Sequence, residues 1–305
     1  MNKYQNAYIF FLLKFIKPRR RLKVIVDCSN GAAGSIVHKI FKNSKFLNFK
    51  IINSTADGNF PAHGPDPLRG NAFKKASSFV LEQKADVGIV FDADGDRAFF
   101  IDNRGRKINP DVIAKLFVWY LKPKKIVVDA RTGWLVTKSQ ATSYKPQVIN
   151  SKVGRYFVEQ LMKKNKADFG AEHSGHYYFK TFYYFDSGIF SAIQAINAVS
   201  KLPYSLADFA DLLPQYYSKD VNFRLNSKRD YSATIGKIEN RYKKFAVKIS
   251  RLDGLKMEIK KPSGRFWFNI HFSNTEPVIR LTIEAQSSKI LAVEARNLAN
   301  LLTKA

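Results

Sequence analysis

Residues 86–101, DVGIVFDADGDRAFFI, decide the fold. Asp86 to Phe91 is a short run of β-branched and aromatic residues, as in a buried strand, and Arg97 to Ile101 resumes the run after a polar turn. On that turn Asp92, Asp94 and Asp96 stand at alternate positions. Three carboxylates so placed repel one another unless a hard cation sits among their oxygens, which suits Mg²⁺ or Ca²⁺. An EF-hand calcium loop wants Gly at its sixth position and Glu at its twelfth, where this chain has Arg97 and Asn103. A merely solvated acidic hairpin fits poorly between buried runs in a chain so short of acids.

Outward from this hairpin, Leu22 to Asp27 (LKVIVD) and Lys125 to Asp129 (KIVVD) echo each other. Each is a β-branched run ending in Asp, followed by a Gly-containing turn and a helical pattern, as in buried parallel strands of α/β units. The repeat predicts one α/β domain used twice. Asn103 to Lys107 is polar turn material before a helix expected near Asp111, a natural domain border. After Leu212-Leu213-Pro214 the chain turns strand-rich, with runs at 245–249, 255–259, 265–272 and 278–285 and a closing helix over 288–303. Strands followed by a helix predict an α+β domain.

Composition supports a globular chain: 305 residues, 45% hydrophobic and 25% charged, which excludes disorder and coiled coil as global descriptions. Lys and Arg number 51 against 25 Asp and Glu, a net charge of +26, consistent with an anionic partner or a basic proteome. The single cysteine, Cys28, excludes an internal disulfide framework and a cysteine zinc site, suits a reducing compartment and reads as core filler. The run Ala7 to Ile16 is too short to span a membrane and is interrupted by Lys14, so it reads as an amphipathic helix packed on the next part of the chain. No small-residue cleavage pattern comes after it, and a cytoplasmic protein without membrane contact is expected.

Two further loops carry chemistry. Residues 170–176 (GAEHSGH) combine Glu172, Ser174 and His176 with glycines that let a ligand approach the backbone, equipment for gripping sugar hydroxyls or moving a proton. Taken alone, a polar turn with surface histidines explains it as well. Residues 273–277 (SNTEP) offer Ser273, Asn274 and Thr275 as hydrogen-bond donors to a phosphate, with Arg280 just beyond. An ordinary turn is the bland alternative.

Together, in this order, the three loops resemble the DGDR-type, GE-x-SGH and SNTEP-type loops of the phosphomannomutase/phosphoglucomutase family, the α-D-phosphohexomutases. Residues 27–34 (DCSNGAAG) and 57–68 (DGNFPAHGPDPL) resemble two more of its segments. The resemblance implies two similar α/β domains and an α+β C-terminal domain: residues 1–104 with the metal loop, 105–214 with the sugar loop and 215–305 with the phosphate loop, matching the family's second, third and fourth domains. The family's first domain carries the phosphorylated serine, and no matching motif occurs in this sequence, so that domain is expected to be encoded separately or lost.

By resemblance, hexose 1-phosphate and 6-phosphate are interconverted through a phosphoserine and a hexose 1,6-bisphosphate. Asp92, Asp94 and Asp96 hold Mg²⁺, with Arg97 beside it. Glu172 and Ser174 bind sugar hydroxyls, Ser273, Asn274, Thr275 and Arg280 hold the distal phosphate, and His176 moves the proton of the attacking hydroxyl. Arg131 and Arg155 stand near where some relatives place a lysine and a histidine, and as arginines they supply charge but no general base. His271 replaces an arginine and is expected to be a weaker, pH-dependent phosphate ligand. A catalytically silent phosphosugar-binding module is equally consistent with these loops. Nucleic-acid binding is not expected, because the basic residues are dispersed and no nucleic-acid motif occurs.

Overall fold

The computed structural model describes residues 3–138, 144–224, 228–272 and 278–303, without the side chains of 228–231. The first unit comprises α1 (Lys3–Leu13), β1 (Leu22–Asp27), α2 (Gly34–Phe41), β2 (Leu47–Ile52), α3 (Ala72–Glu82), β3 (Val87–Phe91), β4 (Ala98–Asp102) and β5 (Lys107–Ile108). Its sheet has the order β2-β1-β3-β4-β5, the first three strands parallel and the last two antiparallel. All residues of β3 and β4 are buried, as their unbroken apolar runs require. β5 carries this sheet as far as Ile108, past the polar turn read as a border.

The second unit contains α4 (Pro110–Leu121), β6 (Lys125–Asp129), α5 (Trp134–Thr137), β7 (Gln147–Ser151), α6 (Arg155–Asn165), β8 (Phe169–Ala171), β9 (Tyr177–Phe179), α7 (Gly188–Lys201) and α8 (Leu206–Leu212). The helix expected near Asp111 starts at Pro110, where Asn109 caps it by accepting from Asp111 N at 2.8 Å. The sheet order β7-β6-β8-β9 repeats the β2-β1-β3-β4 arrangement of the first unit, including the final antiparallel strand. One hydrophobic core runs through both units. Helix α7 lies within it, buried from Gly188 to Ser200 and touching β3, β4 and α4.

The N-terminal helix departs from expectation. Ile9 and Leu12 are buried, Tyr8 and Phe11 meet Phe182, yet Phe10 and Tyr4 are exposed, so apolar residues occupy most of its circumference. It is therefore not amphipathic. Its exit is clamped to α7, where Asn197 accepts from Lys17 N and donates to Phe15 O at 2.8 and 2.7 Å.

The third unit is antiparallel: β10 (Tyr217–Arg224), α9 (Lys228–Tyr242), β11 (Ala246–Ser250), β12 (Leu255–Lys261), β13 (Gly264–Phe272), β14 (Val278–Ala285) and α10 (Ser288–Thr303), with sheet order β10-β14-β13-β12-β11. It has its own core, built on Phe266, Phe268, Leu281 and Leu298.

Candidate functional site

The turn between β3 and β4 brings together the three aspartates read from the sequence: oxygens of Asp92, Asp94 and Asp96 lie within 4.8 Å of one another. Asp92 is buried and Asp94 exposed. Asp92 Oδ1 accepts from Gly95 N and Arg97 N, both at 3.1 Å, and Oδ2 from Arg97 Nε at 2.5 Å. These bonds use three of the roughly four acceptor positions of a carboxylate, leaving one for an ion. Burial pushes the Asp92 carboxyl up to about 6 against the pull of Arg97, an electrostatic cost that a divalent cation would offset. An all-oxygen, three-carboxylate donor set with one exposed member fits Mg²⁺, which keeps several of its waters.

The turn between β8 and β9 occupies the equivalent place in the second unit. Glu172 N donates to His176 O, closing a tight hairpin. The buried Glu172 carboxylate accepts from Gly154 N at 2.9 Å and from Tyr178 OH at 2.6 Å. His176 bridges the two turns. Its Nδ1 lies 2.9 Å from Ser174 Oγ, and its Nε2 lies 3.4 Å from Asp96 Oδ1. Burial would lower its pKa, but the hydrogen bond to Asp96 and the charges of Glu172, Asp96 and Asp186 raise it. Arg155 joins the same cluster, pairing with Asp96 and, through Nε at 2.9 Å, with Asp186. For Asp96 burial is likewise outweighed: the His176 bond and charge and the Arg155 charge hold its carboxyl well below the ordinary range.

A cleft of about 600 Å³ opens between the three units. Arg97, Arg131, Ser174 and Arg280 line it; Asp92, Asp94, Asp96, Glu172, His176 and Arg155 are not part of its wall. Arg131 is fixed by Asp129, at 3.0 Å through Nη2. Ser273, Asn274 and Thr275 lie outside the described residues. His271 is buried, faces Asn269 Oδ1 at 3.2 Å and is not part of the cleft wall; burial lowers its pKa.

Sequence reasoning missed several wall residues. Asp66 holds Arg97 Nη1 at 3.4 Å, and Lys107 stands nearby. His173 reaches across to the third unit, its Nε2 3.0 Å from Asp220 Oδ2, while Asp220 Oδ1 accepts from Thr282 at 2.5 Å. Burial would lower His173, but the Asp220 bond and charge, with Asp111, lift it to about 9. Only His173 and Asp66 sat inside quoted motifs, and nothing local announces their distant partners. The same two units also share a buried polar seam, where Trp134 N and Trp267 Nε1 donate to Glu284 Oε1 at 2.8 and 2.7 Å, and Lys256 Nζ donates to Ala130 O at 2.6 Å.

A double α/β repeat with an acidic turn and a Glu-Ser-His turn at equivalent strand ends, facing an antiparallel third unit, defines the architecture of phosphohexose mutases. The chain belongs to the phosphoglucomutase/phosphomannomutase family: residues 3–105 match its alpha/beta/alpha domain II and residues 109–217 its alpha/beta/alpha domain III. It is 34% identical over 304 residues to the phosphomannomutase of Methanocaldococcus jannaschii, covering 98% of this chain and 65% of that protein. It is 30% identical to the phosphomannomutase of Escherichia coli K12, covering 98% of this chain and 67% of the relative. The chain thus spans about two thirds of the length of the relatives it matches. Among solved structures, a phosphoglucomutase/phosphomannomutase family protein from Burkholderia thailandensis superposes with a TM-score of 0.82 at 27% identity, covering 98% of this chain and 64% of the other. An Aspergillus fumigatus N-acetylphosphoglucosamine mutase in complex with GlcNAc-6P and magnesium shares the fold, with a TM-score of 0.67 at 16% identity, covering 97% of this chain and 65% of the other. Among the described residues no helix is long and apolar enough to cross a membrane.

Proposed function

We propose that this chain supplies the metal, sugar and distal-phosphate loops of a phosphohexomutase that interconverts hexose 1-phosphate and 6-phosphate. The observation that carries this reading is the meeting of Arg97, Arg131, Ser174 and Arg280, from three separate units, around one cleft. Cations on several sides of a cavity suit a substrate with a phosphate at either end, and a hexose 1,6-bisphosphate must turn round between them. Asp92, Asp94 and Asp96 would hold Mg²⁺, which when bound neutralises charge on the phosphoryl group in transfer. Arg97, anchored by Asp92 and Asp66, presents a fixed positive charge beside them.

Ser174 offers its hydroxyl to the sugar, and Glu172 stiffens the turn that carries it through Gly154 and Tyr178. His176 contacts Ser174 Oγ, so a proton from the attacking sugar hydroxyl reaches the imidazole through that serine. Arg131 faces the substrate, whereas Arg155 is held by Asp96 and Asp186 and steadies the junction of the two turns. Ser273, Asn274 and Thr275, with Arg280, complete the distal phosphate site. The partner is a phosphorylated hexose, not a nucleic acid. That the Aspergillus mutase binds GlcNAc-6P and magnesium supports the substrate class and the metal.

Calorimetry with the purified chain tests this. Hexose 6-phosphate binds, Arg280→Leu weakens hexose phosphate and inorganic phosphate alike by about tenfold, and Ser174→Ala weakens only the sugar phosphate. Asp94→Ala removes Mg²⁺ binding. Turnover appears when the family's serine-bearing domain is supplied, and turnover by these residues alone that Asp94→Ala abolishes would place the phosphoryl acceptor within them.

A further inference from the structure

Next to the metal loop lies a set of buried polar groups that none of the roles above uses. Asp27, fully buried at the end of β1, accepts from Ser29 N at 2.9 Å and from Asn53 Nδ2 at 2.9 Å to each oxygen. His63 Nε2 lies 3.4 Å from Asp27 Oδ2 and 3.4 Å from Ser29 Oγ, with only 5% of the His63 side chain exposed. The Ser29 hydroxyl donates to Phe91 O at 2.5 Å. Asp, His and Ser here do not form a nucleophilic triad. One ring nitrogen faces both partners, so the imidazole cannot relay a proton between them, and the serine hydrogen is committed to a carbonyl.

The geometry around this cluster is directed at the metal loop. Phe91 ends β3 and immediately precedes Asp92. Two residues on, Ala93 O accepts from Ala32 N at 2.8 Å, and Ala93 N donates to Pro65 O at 3.0 Å. Pro65 and the Arg97-binding Asp66 belong to the same segment as His63. The loop is thus tied down at Phe91, at Ala93 and at Arg97 by two segments, and His63 is where those segments meet.

We propose that His63 is a positioning residue for the metal loop: seated on Asp27, it fixes Ser29, whose hydroxyl fixes the Phe91 carbonyl and so the direction in which Asp92 leaves its strand. This rests on reading Asp92, Asp94 and Asp96 as the Mg²⁺ site. The bond to Asp27 raises the His63 pKa against the effect of burial, which favours a charge-assisted contact there. Asp27 keeps three other hydrogen bonds, so removing the imidazole leaves it satisfied.

The test uses the full chain with Mn²⁺ as the probe, read by electron paramagnetic resonance, and amide hydrogen exchange over residues 91–97. His63→Leu weakens Mn²⁺ binding roughly tenfold, as loss of an outer-shell partner does, and His63→Gln, which keeps a donor at the Nε2 position, restores most of it. Exchange at 91–97 quickens in His63→Leu and in Ser29→Ala, while β6 is unchanged. Should His63→Leu not fold, Ser29→Ala and His63→Gln carry the comparison. Unaltered affinity and exchange in the variants, or faster exchange spread equally over β6, overturns the proposal. A wild-type chain that binds no Mn²⁺ removes the metal reading alone, and the exchange pattern then decides on His63.

Discussion

The two α/β units end their first strand with the same turn and balance its charge in different ways. Asp27 and Asp129 are both fully buried, and each accepts from the backbone N two residues on, Ser29 at 2.9 Å and Arg131 at 3.1 Å. Each has a glycine four residues on, Gly31 and Gly133. Asp27 is satisfied by the neutral Asn53 with His63 alongside, and its turn packs on the metal loop. Asp129 is held by the permanent cation Arg131, and its turn opens on the cleft. One backbone device thus serves two ends: in the first unit to steady a neighbouring loop, in the second to hold a charge at the cleft wall.

The largest expected effect tests that contrast directly. Arg131→Leu leaves the buried Asp129 without its paired cation, its hydrogen bonds among the described residues reduced to Thr132 and one backbone N–H, and should cost about 3 kcal/mol in denaturant unfolding. His63→Leu should cost clearly less, because Asn53 remains on Asp27. Equal losses would mean that the two turns are balanced alike.

The glycines sharpen the comparison at smaller scale. A Cβ on Gly31 would lie 2.2 Å from Ala93 O, a backbone atom of the metal loop, whereas on Gly133 it would meet the carboxylate tips of Glu284 and Asp111 at 2.2 and 2.5 Å. Side-chain tips yield more readily than backbone. Gly31→Ala should therefore lower stability by about 2 kcal/mol and Gly133→Ala by less, read from thermal midpoints. The reverse order would show that the buried Glu284–Asp111 seam is the stiffer contact.

A further set of effects is pH-dependent and lies along the second unit's seam with the third. Burial, with the Asp111 charge, raises Glu284 to about 7 from an ordinary 4.5. Between these values the folded protein holds more protons than the unfolded chain, so this contribution is full below 4.5 and declines as pH rises to about 7. The His173–Asp220 contribution is full below 6.5 and is lost as pH climbs through about 9. Stability measured by denaturant midpoint should thus decline between pH 5 and 9. Glu284→Gln should flatten the lower part of the decline and His173→Gln the upper part. A wild-type profile unaffected by either change would remove both groups from the account.

The repeat itself was legible because each opening strand is a β-branched run ending in Asp with a glycine four residues on. The structure gives both units one strand order. The closing helix over 288–303 and the strand at 278–285 stand where the sequence puts them. Strand β10 escaped because it is an edge strand without a single buried residue, so it shows no hydrophobic signal. Helix α9 escaped for a related reason: its buried apolar residues Ile235, Ile238 and Tyr242 are sparse among polar ones, and Gly236 interrupts the pattern. At the site, the acidic and Glu-Ser-His turns were readable as local clusters. The pairings Asp66–Arg97, Arg155–Asp96 and His173–Asp220 join segments far apart in the chain, and no spacing rule reaches that far.

Helix α7 has a consequence for the order in which the molecule is made. It packs on β3 and β4 of the first sheet, yet it is synthesised only after the whole second sheet. Until Lys201 has left the ribosome, the part of β3 and β4 that α7 covers lacks its partner, although α1 and α2 already pack beside it over β1. The first two units therefore cannot complete their common core before α7 is made, whereas the third has a core of its own to close on.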